Sequence, residues 1–371
     1  MLRHKKGNTI RKNKTHLFAL NLSLAILLTN MISSCNGQVK PEAKERKSSA
    51  LVPSISQIQP YEDPLFFING QLCQHVREIF QDSKGNLWFG TNVYGLMLYD
   101  GVSFKYITEK DGYVNGGRIS GIVEDSAGNI WFGTGSGLIK YDGSTFTTFN
   151  EANGLLNSEI WSLIIDSKGV LWIGHTKGLS RYDGKNFENI AVPKASIKNP
   201  KTKFAPDRIT AIVEDAHGDL WLGTDGFGIC KYDGTSFTSY TSENGLAENT
   251  IHSLMVDSKD NLWIGTYWDG LSKFDGKQFN NFASNKELSG HGIHAFFEDN
   301  NGDIWISIKN NGVSKYNGDT FTHYSKESFS NGSILSIYKD KENRFWFGGW
   351  GGLFRYDANS FSSVTKDGPW K

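Results

Sequence analysis

The chain has 371 residues, with 39 basic and 39 acidic side chains and a formal net charge of zero. That length exceeds one ordinary domain of about 100–200 residues, and the charge balance excludes a protein held to nucleic acid mainly through phosphates. Gly (41), Phe (24), Tyr (14) and Trp (11) against eight Pro and four Met exclude a long helical bundle and a disordered chain. Such a composition favours many short strands joined by tight turns. Three cysteines are too few for a disulfide framework.

Residues 1–34 carry six bases (Arg3, Lys5, Lys6, Arg11, Lys12 and Lys14) and no acid, leaving 33 basic against 39 acidic residues elsewhere. Residues 17–32 are mostly apolar. The run is short for a membrane span of roughly 20 residues and has the length of a secretory h-region. It ends in Met31-Ile32-Ser33-Ser34-Cys35. An apolar residue, two small residues and Cys resemble the lipobox of bacterial lipoproteins, which implies cleavage before Cys35 and its lipidation. The alternative is a plain signal peptide or uncleaved anchor with an incidental cysteine. Acyl chains, at about 0.8 kcal/mol per buried CH₂, would hold the mature chain on a bilayer outside the cytoplasm, on the periplasmic face or cell surface. Residues 35–63 are polar, with no sustained period, and are expected to be a tether.

From there one pattern recurs seven times, around Trp88, Trp131, Trp172, Trp221, Trp263, Trp305 and Trp346. The steps are 43, 41, 49, 42, 42 and 41 residues, a period that signals a solenoid, propeller or array. An Asp precedes each Trp by six residues (Asp82, Asp125, Asp166, Asp215, Asp257, Asp299 and Asp340), and Gly follows two positions after it, or Ser in one copy. Ten or eleven residues after the Trp an aromatic opens a turn such as Tyr141-Asp142-Gly143. The second copy predicts strands a to d over 119–124, 129–134, 138–141 and 145–149, with Gly or Asp at most reversals. The fold class is therefore all-β, a single seven-bladed β-propeller of four-stranded antiparallel blades occupying 64–371. Residues 65–68 and 361–364 both resemble a strand d, so ring closure is expected where they meet. Cys73 and Cys230 fall in the first and fourth copies, which predicts two free thiols.

Asp-x-x-Gly-Asn-Leu-Trp-Phe-Gly-Thr followed by Gly-Leu and Tyr-Asp-Gly, as at Asp82 to Gly101, resembles the two-component regulator propeller repeat. Such repeats build the periplasmic sensor region of hybrid histidine kinases in Bacteroidetes. The resemblance implies the fold and a sensing role outside the cytoplasm. No kinase or regulator segment accompanies the repeats, so a stand-alone lipoprotein without kinase activity is expected. The stereotyped Trp, Gly and Asp are read as structural: Trp packed between blades, Gly at close backbone approaches, Asp accepting turn amides.

Antiparallel order puts the b–c hairpins and d–a crossings on one face and the a–b and c–d turns on the other. The second face repeats itself; the first does not, and a specific site is expected there. Its hairpin tips offer Asn92, Tyr94, Asp225, Phe227, Tyr267, Trp268, Asp269 and Trp350, and the position before strand a offers Arg118, Glu159 and Arg208. These are the candidate ligand-binding residues. The next column holds Arg77, Ser120, Trp161, Thr210, His252, His294 and Leu335. Exposed aromatics beside carboxamides and carboxylates suit a glycan or oligosaccharide. The fourth copy arrives about seven residues late because of a basic insertion, 191–206, read either as a tolerated loop or as a flap beside the site.

No nucleophile elbow, His-Glu-x-x-His or phosphate loop occurs. No catalytic residue, metal or cofactor is assigned. The expectation is a non-catalytic recognition or sensor-accessory lipoprotein, signalling through an envelope protein or sensor-kinase partner. A protein scaffold on the envelope is one alternative. The other is a propeller enzyme such as a lyase, for which Arg77, Glu78, Glu159 and His252 would have to converge at the channel mouth.

Overall fold

The computed structural model describes residues 71–92, 95–114, 116–282, 284–357 and 359–370. Cys35, the tether, the strand-like residues 65–68 and Tyr94 lie outside the described residues. Twenty-eight strands form seven separate four-stranded sheets, each in sequential order. Blade 1 is β1 (Val76–Gln81), β2 (Leu87–Thr91), β3 (Leu96–Tyr99) and β4 (Phe104–Ile107), and blade 7 ends with β28 (Ser360–Val364). The second blade runs Ile119–Glu124, Ile130–Thr134, Leu138–Tyr141 and Phe146–Phe149, so its b and d strands each begin one residue later than predicted. All pairings are antiparallel.

The repeated Trp residues join blades. Trp88 packs among Ile119, Ile122 and Phe132 of the second blade, and Trp346 among Val76, Leu87 and Phe89 of the first. Burial of roughly 150–250 Å² per ring makes these contacts the main apolar cement of the ring. The Gly two residues beyond each Trp makes the approach feasible. A Cβ at Gly90 would stand 2.6 Å from Ile119 Cγ2, and one at Gly133 would stand 2.8 Å from Ile160 Cγ2. In blade 6 Ser307 replaces that Gly and donates its hydroxyl to the Ile334 carbonyl at 2.5 Å.

The six-residue Asp-to-Trp spacing has a second cause beyond the turn. One oxygen of Asp257 accepts the Asn261 amide N–H at 2.8 Å, while the other accepts the Trp263 indole N–H at 2.9 Å. The same indole bond, 2.7–3.0 Å long, recurs in all seven blades. A buried indole N–H needs a partner, and the turn carboxylate supplies it.

Blades 1 and 7 close the ring through side chains and the chain ends. Residues 361–364 lie in β28, the outer strand of blade 7, and Gln71 bridges Thr365 antiparallel. Trp370 stacks on Tyr99 at 4.5 Å, and the Lys341 N–H donates to Gln81 Oε1 at 2.7 Å. Cys73 and Cys230 are free and buried, and desolvation pushes the Cys73 thiol up to about 12.

Candidate functional site

Every first strand carries the same irregularity. Val76 pairs with Thr91 and Glu78 with Gly90, so Arg77 is skipped as a bulge. The bulge recurs in the other six blades and skips Ser120, Trp161, Thr210, His252, His294 and Leu335. A bulge re-aims one side chain and locally breaks pairing. Six of these seven residues line an axial cavity of about 750 Å³ on the b–c/d–a face. Ser120 is the exception and donates to the Ile160 carbonyl of the next blade at 2.7 Å.

The hairpins and crossings add the upper wall. Asn92, Arg118, Arg208, Tyr267 and Trp350, five of the sequence candidates, line the cavity. Glu159 stands nearby, 3.8 Å from Arg118, with its side chain 43% exposed. Asp225 is fully buried and committed elsewhere: it accepts the backbone N–H groups of Lys203, Phe204 and Ala205 at 2.5, 2.7 and 3.0 Å and pairs with Arg208 at 3.4 Å. Phe227 lines a separate recess of about 200 Å³ under the insertion, with the Lys194 ammonium 5.5 Å from its ring. Trp268 and Asp269 are exposed on the hairpin tip outside the cavity wall, with Trp268 edge-on to Tyr267 at 5.0 Å.

The insertion is a wall of the cavity. Its anchor is Asp225, and Thr250 Oγ1 donates to the Lys201 carbonyl at 2.6 Å. Phe204, held by this clasp, lies 5.5 Å from Trp161 and 6.2 Å from Tyr267. The guanidinium carbons of Arg118 and Arg208 lie 3.7 and 4.4 Å from the Trp161 ring centre, and Arg208 also lies 4.1 Å from that of Phe204. Stacking fixes the planes of both guanidiniums and weakens their hydration.

Four cations, Arg77, Arg118, Arg208 and Lys309, line the cavity, and no carboxylate among the described residues does. Arg77 keeps part of its surface open to the channel yet lies deep enough for desolvation to lower its pKa. Desolvation lowers Arg118 to about 10, and the charges of Arg77 and Arg208 push in the same direction. Burial holds His294 down at about 4 and His252 well below its ordinary value, so both rings are neutral at pH 7. Their centres are 4.8 Å apart. Beneath Arg77 stands Glu78, where the other blades carry Gly121, Ser162, Ala211, Ser253, Ala295 and Ser336. Burial pushes its carboxyl up to about 7 against the pull of Arg77. The described residues hold no cluster of three or more His, Cys, Asp or Glu placed to bind a metal ion.

A seven-bladed propeller with a polar and aromatic axial cavity is a binding architecture. Residues 70–93, 113–136, 154–177, 203–226, 245–268 and 328–351 match the two component regulator propeller family, to which the chain belongs. These segments fall on six blades; the unmatched one is blade 6, which carries Ser307 in place of Gly. No curated protein matches the sequence. Among solved structures, virginiamycin B lyase from Staphylococcus aureus, as a catalytically inactive variant with quinupristin, is 12% identical, covering 77% of this chain and 95% of that one (TM-score 0.61). PorZ, a surface component of the type-IX secretion system of Porphyromonas gingivalis, is 16% identical over 78% of this chain and 47% of its own (TM-score 0.61). The extracellular domain of the hybrid two-component system BT3049 from B. thetaiotaomicron is 22% identical over 76% of this chain and 51% of its own (TM-score 0.38). The chain thus spans about half the length of these last two, and at such identities the likeness is one of fold. No helix among the described residues is long and apolar enough to cross a membrane.

Proposed function

We propose that the chain is a non-catalytic, extracytoplasmic recognition or sensor-accessory protein that binds a glycan or oligosaccharide in the axial cavity. Family membership supports the sensing role. The observation that carries the site is the set of seven bulges, which turn one variable residue per blade out of the regular ladder and bring six of them to the axis. Tyr267 and Trp350 offer faces for sugar rings, and Asn92, Asn310 and Ser333 offer hydroxyl partners. Lipidation of Cys35 would hold the chain at the envelope, where a signal passes to a protein partner or sensor kinase. An enzyme is the second reading, because Glu78, held up at about 7 next to Arg77, has the pKa of an acid–base group.

A glycan screen by thermal shift tests this, repeated with Trp161→Ala and Tyr267→Ala. A ligand at 100 times its dissociation constant stabilises the fold by about 2.7 kcal/mol. Binding that survives both substitutions places the site elsewhere. Conversion of the bound ligand moves the protein to the enzyme reading. Recovery of a protein partner with no glycan bound moves it to a scaffold.

A further inference from the structure

The axial cavity contains more positive charge and more unanswered donors than a neutral sugar uses. Arg77 Nε, Arg118 Nε, Arg208 Nε and Nη1, and Thr210 Oγ1 are buried and have no hydrogen-bond partner among the described residues. Buried polar groups are nearly always paired, because an orphan forfeits its hydration without replacement. Arg208 is 2% exposed, and its carboxylate partner Asp225 already serves three backbone amides. Neither Arg77 nor Lys309 makes an ion pair within 4 Å among the described residues, although Lys309 Nζ rests 4.6 Å from the Tyr267 ring centre. The distances to Trp161 place the Arg118 and Arg208 guanidinium carbons within about 8 Å of each other, close enough for their like charges to repel.

We propose that the cavity is an oxyanion site, and that its ligand is an acidic saccharide whose carboxylate or sulfate is held by Arg77, Arg118, Arg208 and Lys309. This rests on the recognition reading above and names the ligand class. Guanidiniums bind such groups through paired N–H donors, and two of the four are already oriented by Trp161. The sugar body then lies against Tyr267 and Trp350. Carboxylates near the site offset the field only in part: the half-exposed Glu159 pairs with Arg118 and also pulls on Arg208, Asp225 is shared with the flap amides, and burial pushes the Glu78 carboxyl up to about 7. The arrangement resembles other functional sites in holding a destabilising cluster that a ligand relieves.

The test uses the full-length chain at low ionic strength, with sodium sulfate, trigalacturonate and maltotriose as probes, in wild type, Arg77→Gln and Lys309→Gln. Sulfate stabilises proteins in general by exclusion, so the quantity read is its excess over chloride in wild type relative to the variants. The site predicts that this excess vanishes in both variants, that trigalacturonate affinity falls at least tenfold in each, and that maltotriose binds no better than to the variants. Without ligand, both variants melt at or above the wild-type temperature, because a like charge has been removed; a merely structural arginine or lysine would lower it. Trigalacturonate against sulfate separates carboxylate from sulfate recognition. An unchanged sulfate excess in both variants overturns the proposal. So does a neutral saccharide that binds in the cavity while the acidic one does not, and in that case the recognition reading survives. If the sulfate effect is lost in the variants but no saccharide binds, the oxyanion site stands and the saccharide reading fails.

Discussion

The two faces of the ring use the same kinds of residues to opposite ends. On the a–b/c–d face, carboxylates have their oxygens occupied. Asp257 accepts a turn amide and an indole N–H, and Glu124, Glu214 and Glu298 each accept the N–H and hydroxyl of a Ser on the preceding blade. On the b–c/d–a face, guanidinium atoms of Arg77, Arg118 and Arg208, the Thr210 hydroxyl and His252 Nδ1 lie buried without partners among the described residues. Satisfied and repeated groups hold the fold; unsatisfied and unrepeated ones mark where the fold meets something else.

The sharpest break between the faces is expected for tryptophan. Trp263, 1% exposed and bonded to Asp257, should cost about 3–5 kcal/mol when replaced by Ala. Trp161, whose contacts are two guanidiniums, Phe204 and the Thr176 hydroxyl, should cost only about 1–2 kcal/mol. Urea unfolding of the two variants measures both; equal losses would erase the distinction between faces. Asp225, on the b–c/d–a face, behaves like the acids opposite. Asp225→Ala strands Arg208 and should cost about 3 kcal/mol, with new proteolytic cleavage within 191–206. Cleavage unchanged from wild type would mean that the clasp does not hold the flap.

Glu78 gives the smaller, pH-dependent effect. Its folded pKa of about 7 exceeds the ordinary carboxylate value of 4.5, so the folded state binds the proton more tightly than the unfolded chain. The stability this confers is present below pH 4.5 and lost as pH rises toward 7. His294 and His252, both depressed, act oppositely in the acid range and lose stability as pH falls from 6.5. Glu78→Gln therefore isolates the carboxyl. The variant should match wild type near pH 4 and exceed it by about 1–3 kcal/mol at pH 8. A difference that does not grow with pH would place the Glu78 charge in a solvated, compensated site.

The ring was legible in the sequence because each blade needs the same joint. Asp at six before Trp and Gly at two after it are imposed by the turn, the indole N–H and the approach of the next blade's Ile. The indole bond itself was not read, because an Asx turn already accounts for an Asp there. The binding face was legible as the one that varies, but its candidates were drawn from hairpin tips and from the position before strand a, and the bulged column was named only as the next one along. Trp268, Asp269 and Phe227 stand outside the cavity lining, while the bulged residues Arg77, Trp161, His252 and His294 line it. A bulge leaves no mark in apolar periodicity, so nothing short of the strand register could separate the column that faces the axis from its neighbours. The extra residues of the fourth copy were visible as a basic insertion, either a tolerated loop or a flap beside the site; that they carry Phe204 into the cavity depends on Asp225, some twenty residues downstream.

The most direct measurement is the structure of the full-length chain with the first saccharide that stabilises it. Recognition at the axis predicts density in the cavity between Trp161, Tyr267 and Trp350, with hydrogen bonds to ligand oxygens from Arg77 or Arg208. A ligand seated on the a–b/c–d turns, or along the outer d strands, would contradict it.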